Sequence, residues 1–204
     1  MNQINQDLSI PQAVKLLQQG AIVAYPTEAV YGLGCDPNNH QALQNLMSLK
    51  HRDENKGVIL IASKIEQLEF YVDTALYPEA LHMARTRNFA ADGVTVSVDN
   101  FTTWLLPINP KTINKIDPLI YGKFDTIAIR VTEHPIVVEL CNLFSGPIVS
   151  TSANISGQAA IKDKNRLYQL VNENKLISGV VAGELGGYDK PSRIINAVTG
   201  ELIR

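Results

Sequence analysis

Cysteine is scarce: the chain of 204 residues holds only Cys35 and Cys141, far apart and in no C-x-x-C pattern. That excludes a disulfide framework and a zinc site, and leaves two buried or spare thiols suited to a reducing compartment. His40, His51, His82 and His134 are dispersed and lack metal-ligand spacing. No apolar run approaches the ~18 residues of a membrane span. The first seven residues lack the basic and apolar regions of a signal peptide, so a cytoplasmic location is expected, with no membrane partner. Strong net charge is missing too: the total of −2 argues against a surface that grips nucleic acid throughout, while allowing a local basic patch. There is no G-x-x-x-x-G-K-[ST] phosphate loop and no G-x-S-x-G elbow. Gly32-Leu33-Gly34 begins like a dinucleotide fingerprint, but Pro37 stands where the third glycine belongs.

What is present suits one domain over residues 1–204, with a core at about 7–190 completed by C-terminal strands. At this length a fold buries roughly 70% of its unfolded surface. Ser9-Ile10-Pro11 opens a helix that Gly20 ends. Further helices are expected over 41–49, after a Ser63 cap, and over 74–91, 135–144 and 164–174. Strands are expected at 21–25, 58–62, 103–106, 126–131, 148–150, 180–181, 194–195 and 201–203. Residues 27–39, rich in Gly, Pro and Asn, read as a loop. Strands and helices mix without a strict βαβ beat, which predicts α/β with a twisted mixed sheet.

Two polar constellations stand about a hundred residues apart, each directly after a β-branched apolar run. Thr27, Glu28 and Tyr31 follow one strand end, where open α/β sheets bind ligands; a polar turn with a packed tyrosine is the alternative. Lys50 and Arg52 do not share a face on a continuing helix, but point the same way in an extended segment and there converge on one anion, with Lys56 nearby. Solvated charges at a helix end are the alternative. In the second constellation, alternation puts Ser150, Ser152 and Asn154 on one side, and their hydroxyl and amide groups suit phosphate or ribose oxygens; a hydroxyl-rich turn competes. Arg130 lies inside an apolar strand and needs a carboxylate or phosphate partner, from a substrate or from an internal salt bridge. Gly183, Gly186 and Gly187 make a flexible loop, either flap or surface turn, before Pro191-Ser192-Arg193.

Together, Pro26-Thr27-Glu28-x-x-Tyr31-Gly32-Leu33-Gly34, Lys50-x-Arg52 and Ser150-Thr151-Ser152-Ala153-Asn154-x-Ser156-Gly157 resemble the YrdC/TsaC family, the threonylcarbamoyl-AMP synthases. Lys56-Gly57, Gly122-Lys123-Phe124-Asp125, Ala128-x-Arg130-Val131-Thr132-x-His134-Pro135 and Thr199-Gly200-Glu201 match in the same order. The chain looks like the short bacterial form. Val98–Trp104 departs from it, standing where the family carries a Trp-Pro-Gly-Pro-type turn, and the stretch before it is also unusual.

The resemblance implies an α/β domain with a concave, positively lined cavity. It implies synthesis of threonylcarbamoyl-AMP and pyrophosphate from L-threonine, bicarbonate and ATP, with Mg²⁺ arriving on ATP and no protein-bound metal. Downstream transferase proteins would pass the group to position 37 of tRNA. Carried over, Lys50 and Arg52 are the catalytic cations, and with Ser152 and Asn154 they form the nucleotide site, with Ser150 and Ser192 as lesser contacts. Thr27, Tyr31 and Arg130 surround threonine, Arg130 on its carboxylate. Two other readings compete: a non-catalytic RNA-binding or ribosome-maturation factor that binds tRNA or other RNA directly, and carbamoyl-adenylate chemistry with another acceptor.

Overall fold

The computed structural model describes residues 7–77 and 101–204. Along the chain run β1 (Asp7–Leu8), α1 (Ile10–Gln18), β2 (Ile22–Pro26), β3 (Tyr31–Gly34), α2 (His40–Lys50), β4 (Ile59–Ala62) and β5 (Thr102–Pro107). Then follow α3 (Pro118–Tyr121), β6 (Thr126–Val131), α4 (Pro135–Phe144), β7 (Ile148–Ser152), α5 (Lys164–Glu173), β8 (Ile177–Val181) and β9 (Arg193–Asn196). The strands form one mixed sheet in the order β1-β8-β2-β3-β7-β4-β6-β5-β9, so the α/β expectation holds.

Both faces of the sheet are covered, and the period-2 alternation of strands sorts the side chains. In β2, Ile22 and Ala24 join one core while Val23 and Tyr25 join the other; Leu60 and Ile61 of β4, and Val149 and Ile148 of β7, divide the same way. This is why these strands read as unbroken apolar runs. Helices α1 and α4 cover one face with Val14, Leu17, Val137 and Leu140. Leu43 and Leu46 of α2 and Leu167 of α5 cover the other. Each fully buried leucine contributes roughly 1.5–3 kcal/mol. Among the described residues no helix is long and apolar enough to cross a membrane.

The fold corrects several expectations. The expected loop at 27–39 contains β3, paired antiparallel to β2 from Pro26↔Tyr31 to Val23↔Gly34. Glycine normally marks a loop, but here its bareness is used inside a strand. A Cβ on Gly34 would stand 2.6 Å from the Val149 carbonyl and 2.8 Å from the Tyr25 ring. Ser63 does not cap a helix: Lys64 is the cap residue of a short 3₁₀ turn at Ile65–Leu68, and the Ser63 hydroxyl bonds Gln67 and Asn142. The expected strand at 201–203 reduces to one bridge, Ile195↔Leu202. Residues 76 and 77 are helical, while the rest of the helix expected to 91 and the unusual stretch up to residue 100 lie outside the described residues.

Candidate functional site

Strand pairing brings the two polar constellations together. β3 runs antiparallel to β7 with Gly32 opposite Ser152 and Leu33 opposite Thr151. Just beyond, the amide of Ala153 donates to the Tyr31 carbonyl at 2.8 Å.

Lys50 reaches this junction from the end of α2. The helix closes with a Schellman pattern: the amide of Arg52 bonds the Met47 carbonyl and that of His51 bonds the Ser48 carbonyl, both at 3.0 Å. His51 takes the left-handed position that glycine usually fills, with φ 48° and ψ 43°. The chain therefore turns sharply between Lys50 and Arg52, and the pair is not the extended i, i+2 arrangement expected from sequence. The Lys50 ammonium donates to the Ser152 carbonyl (2.5 Å), the Asn154 carbonyl (2.7 Å) and Asn154 Oδ1 (3.1 Å). The Ser152 hydroxyl donates to the same Asn154 Oδ1 at 2.6 Å. Lys50, Ser152 and Asn154 are thus one bonded cluster. Lys50 is only 3% exposed. That burial, followed by the charge of Arg52, pushes its ammonium down from 10.5 to about 8.

Arg52 Nε donates to the Gly57 carbonyl at 3.0 Å. Burial, then the charge of Arg204, lowers its affinity for its proton. Neither Lys50, Arg52 nor Arg204 joins an ion pair among the described residues, where the pairs are His40–Asp117 and Arg130–Glu28. The turn holding Gly57 rests on α3. Gly122, at φ +62°, has its Cα so close that a Cβ would lie 2.4 Å from the Asn55 carbonyl. Gly122→Ala is therefore expected to destabilise the protein by about 1–3 kcal/mol and to loosen the Arg52 clamp. Denaturant titration with nucleotide titration on the folded variant checks both parts; an unchanged denaturation midpoint would refute the packing argument.

The other half of the site surrounds Arg130. This guanidinium is buried, contacts Glu28 Oε2 at 3.3 Å and lies 5.1 Å from the centre of the Phe101 ring. Glu28 Oε1 accepts from the Thr132 hydroxyl at 2.5 Å. Three buried atoms here lack a hydrogen bond: Glu28 Oε2, Arg130 Nε and His134 Nδ1. A cavity of about 440 Å³ opens alongside, lined in part by Glu28, Phe101, His134, Glu184 and Tyr188. Among the described residues its lining is acidic and apolar, and the described cations of the site are Lys50 and Arg52.

The 183–188 segment crosses this region as a strap. Gly186 and Tyr188 donate their amides to the Thr27 and Glu28 carbonyls, each at 3.0 Å, and His134 Nε2 lies 3.1 Å from the Glu184 carbonyl. A carbonyl only accepts, so Nε2 is the donor in this contact. The Thr27 hydroxyl bonds the Val30 carbonyl at 2.7 Å, and the Tyr31 hydroxyl reaches the Gly183 carbonyl at 3.5 Å. Thr27 and Tyr31, two of the three expected threonine contacts, thus bond backbone, in the β2–β3 turn and at the strap. Ser150 is buried in the core beside Tyr25, whose hydroxyl donates to the Val149 carbonyl at 3.3 Å. The Ser192 hydroxyl is buried against the Thr103 hydroxyl at 2.8 Å. The described structure therefore joins Lys50, Ser152 and Asn154 directly, sets Arg52 beside them, and leaves Ser150 and Ser192 facing protein partners. Sequence reasoning placed Glu28 in the strand-end constellation without giving it a partner, and did not assign Thr132, His134 or Phe101 to the site. The available signal was Arg130 itself, a charge in an apolar strand that needed a carboxylate.

Fold and site define a mixed-sheet α/β protein with a cationic Lys50–Arg52 cluster and a buried Arg–Glu pair. The family model Sua5_yciO_yrdC, described as "Telomere recombination", matches residues 15–204, and the chain belongs to that family. It is similar to the threonylcarbamoyl-AMP synthase of Acinetobacter baumannii, at 44% identity over 96% of this chain and 97% of that protein. It is also similar to the threonylcarbamoyl-AMP synthase of Vibrio parahaemolyticus, at 41% identity over 95% of this chain and 96% of that protein. A crystal structure of P. abyssi Sua5 complexed with L-threonine matches with TM-score 0.73 and 27% identity, over 92% of this chain and 50% of that one, so the chain spans half of that longer protein.

Proposed function

We propose that this protein is a threonylcarbamoyl-AMP synthase, forming threonylcarbamoyl-AMP and pyrophosphate from L-threonine, bicarbonate and ATP. The observation that carries the reading is the presence of a buried Arg130–Glu28 couple together with a cluster of Lys50 and Arg52 that joins no ion pair among the described residues. An α-amino acid presents a carboxylate and an amine, the complement of that couple. A triphosphate presents charge that the cluster lacks. The names of the bacterial relatives support the same assignment.

In this reading the threonine carboxylate takes the Arg130 guanidinium, whose Nε has no internal partner. Bicarbonate takes up a proton and loses water to give CO2, and the amine captures that CO2 as a carbamate, giving back a proton. A carbamate oxygen then attacks the α-phosphorus of ATP, the bond to the bridging oxygen breaks, and pyrophosphate leaves. All reacting groups are anionic, so their approach is uphill in water. Lys50 and Arg52 offset that repulsion and the charge that develops on the leaving group, while positioning lowers much of the remaining barrier. Mg²⁺ enters with ATP as part of the substrate. Ser152 and Asn154 hold the nucleotide, and the 3.1 Å contact between Lys50 and Asn154 Oδ1 is the weakest of three for a phosphate oxygen to displace. The product is passed to tRNA-modifying transferase proteins in the cytoplasm.

The deciding experiment supplies ATP, Mg²⁺, bicarbonate and L-threonine and follows the adenylate by mass-resolved chromatography. Threonine-dependent adenylate supports the synthase; nucleotide-independent, salt-sensitive RNA binding without product supports an RNA-binding factor.

The Lys50 environment adds a pH dependence. Its ammonium loses its proton near pH 8 in the free protein, and a bound phosphate favours the charged form, drawing the group back toward 10.5. Nucleotide binding is expected to take up a proton between those values, and affinity to fall as pH rises through them. Calorimetry in buffers of different ionisation heat reads the uptake directly. Lys50→Met should abolish it, and uptake that persists in that variant removes Lys50 from the phosphate site.

A further inference from the structure

Four residues from separate segments close a circuit around the Arg130 half of the site. The Tyr188 amide, on the strap, donates to the Glu28 carbonyl at 3.0 Å. The Glu28 carboxylate meets the Arg130 guanidinium at 3.3 Å. Arg130 lies over the Phe101 ring, 5.1 Å from its centre. The Phe101 ring returns to the Tyr188 ring, with centres 4.7 Å apart and planes tilted by 48°. Antiparallel pairing of β5 with β6, at Trp104↔Ile129, brings Phe101 there from just before Thr102. Phe101 belongs to the Val98–Trp104 stretch that sets this sequence apart from its family's usual turn. Glu28, Phe101 and Tyr188 all line the cavity of about 440 Å³.

A guanidinium carries its donors in its own plane, so the direction of that plane decides which anion it can meet. The Glu28 contact fixes one nitrogen, Nη2, and leaves the plane free to turn about it. An aromatic ring against the face removes that freedom and attracts the charge. It also keeps water from that side, which strengthens a charge pair made in the plane. Phe101 is well placed to do this because it is buried and backed by Tyr188. Tyr188 is itself 40% exposed, so its ring packs on Phe101 from the solvent side while its backbone is pinned to Glu28.

We infer that Phe101 is a positioning residue of the amino-acid site: pressed on the face of Arg130 and backed by Tyr188, it holds the guanidinium plane so that the in-plane donors meet the substrate carboxylate. This rests on the proposed role of Arg130 as the carboxylate partner. Phe101 acts through Arg130, and Tyr188 acts through Phe101. The strap therefore contributes to amino-acid affinity through the two rings, without a contact of its own to the carboxylate. Because the carboxylate is not the reacting group, its interaction is the same in ground state and transition state, and its loss falls on KM rather than kcat.

The test uses the full chain, calorimetric titration with L-threonine and with L-threoninamide, which lacks the carboxylate charge, and adenylate synthesis with threonine and ATP varied in turn. Phe101→Leu keeps apolar bulk and loses the ring. It is expected to weaken threonine binding about five- to tenfold and to raise the threonine KM equally. The kcat, the ATP KM and the threoninamide affinity should stay within about twofold. Tyr188→Leu should weaken threonine about two- to threefold, and Tyr188→Phe, which keeps the ring, should match the wild type. Unchanged threonine affinity in folded Phe101→Leu overturns the inference; should that variant fail to fold, wild-type threonine affinity in the exposed-site variant Tyr188→Leu does so instead. Equal losses for threonine and threoninamide, or threonine and ATP requirements that rise together, also overturn it and make Phe101 a general support of the fold. A wild type that binds threonine through Phe101 but makes no adenylate leaves the inference standing and overturns the synthase reading. A wild type that neither binds threonine nor makes adenylate overturns both.

Discussion

Arg52→Ala is expected to lower threonylcarbamoyl-AMP formation by about 10²–10³-fold, the effect of losing one preorganised donor to developing charge. The fold should survive, because among the described residues the Arg52 side chain donates a hydrogen bond to the Gly57 carbonyl and to no other group. Removing Arg52 even relieves Lys50 of a neighbouring charge, so the Lys50 ammonium should regain some of its ordinary proton affinity. Arg52→Lys keeps a charge and loses the fork that the Gly57 carbonyl orients, so it should recover only part of the rate. Steady-state rates at saturating threonine, alongside thermal melts, read these effects. Near-normal turnover by a folded Arg52→Ala protein would remove Arg52 from the catalytic cations.

Arg130→Ala is expected to have the largest effect on stability. Truncating one partner of a buried ion pair strands the other, at a cost of about 3–5 kcal/mol. Glu28 keeps only the Thr132 hydroxyl. The same change should raise the threonine requirement far more than the ATP requirement. Loss of fold and loss of binding are separated by Arg130→Met combined with Glu28→Gln, which removes both charges and keeps side-chain bulk. That double variant should regain much of the stability and none of the threonine use. If threonine and ATP requirements rise together in the folded double variant, Arg130 is structural.

How much of this was legible in the sequence depended on what each residue faced. The strands at 126–131 and 148–150 were visible because they are buried on both sides, and burial selects unbroken β-branched runs. β3 was hidden because Gly32 and Gly34 carry the usual mark of a loop. The reason for those glycines is the Tyr25 ring, which fills the space a side chain would take, and no local pattern reveals a contact between neighbouring strands. At the site, residue types were legible and partners were not. Lys50, Ser152 and Asn154 could be grouped by chemistry, but that the ammonium is held by the Ser152 and Asn154 carbonyls and by Asn154 Oδ1 is a tertiary fact. Arg130 announced a missing anion. Glu28 lay in the first polar constellation, yet the pairing required β6 and the β2–β3 turn to meet. The left-handed His51 was likewise invisible, since histidine only modestly favours that conformation.

Lys50 and the Ser152 carbonyl it holds are 102 residues apart. During synthesis at about 5–20 residues per second, roughly 5–20 s pass between the two leaving the ribosome's active centre. Throughout that interval the nascent chain carries α2 with an ammonium destined for burial and no acceptors to receive it. It also carries a β2–β3 ribbon whose outer edge awaits β7. An unpaired edge is a template for the wrong neighbour. The glycines of β3 form that edge, and their poor intrinsic strand propensity makes it a weak template until the proper partner arrives.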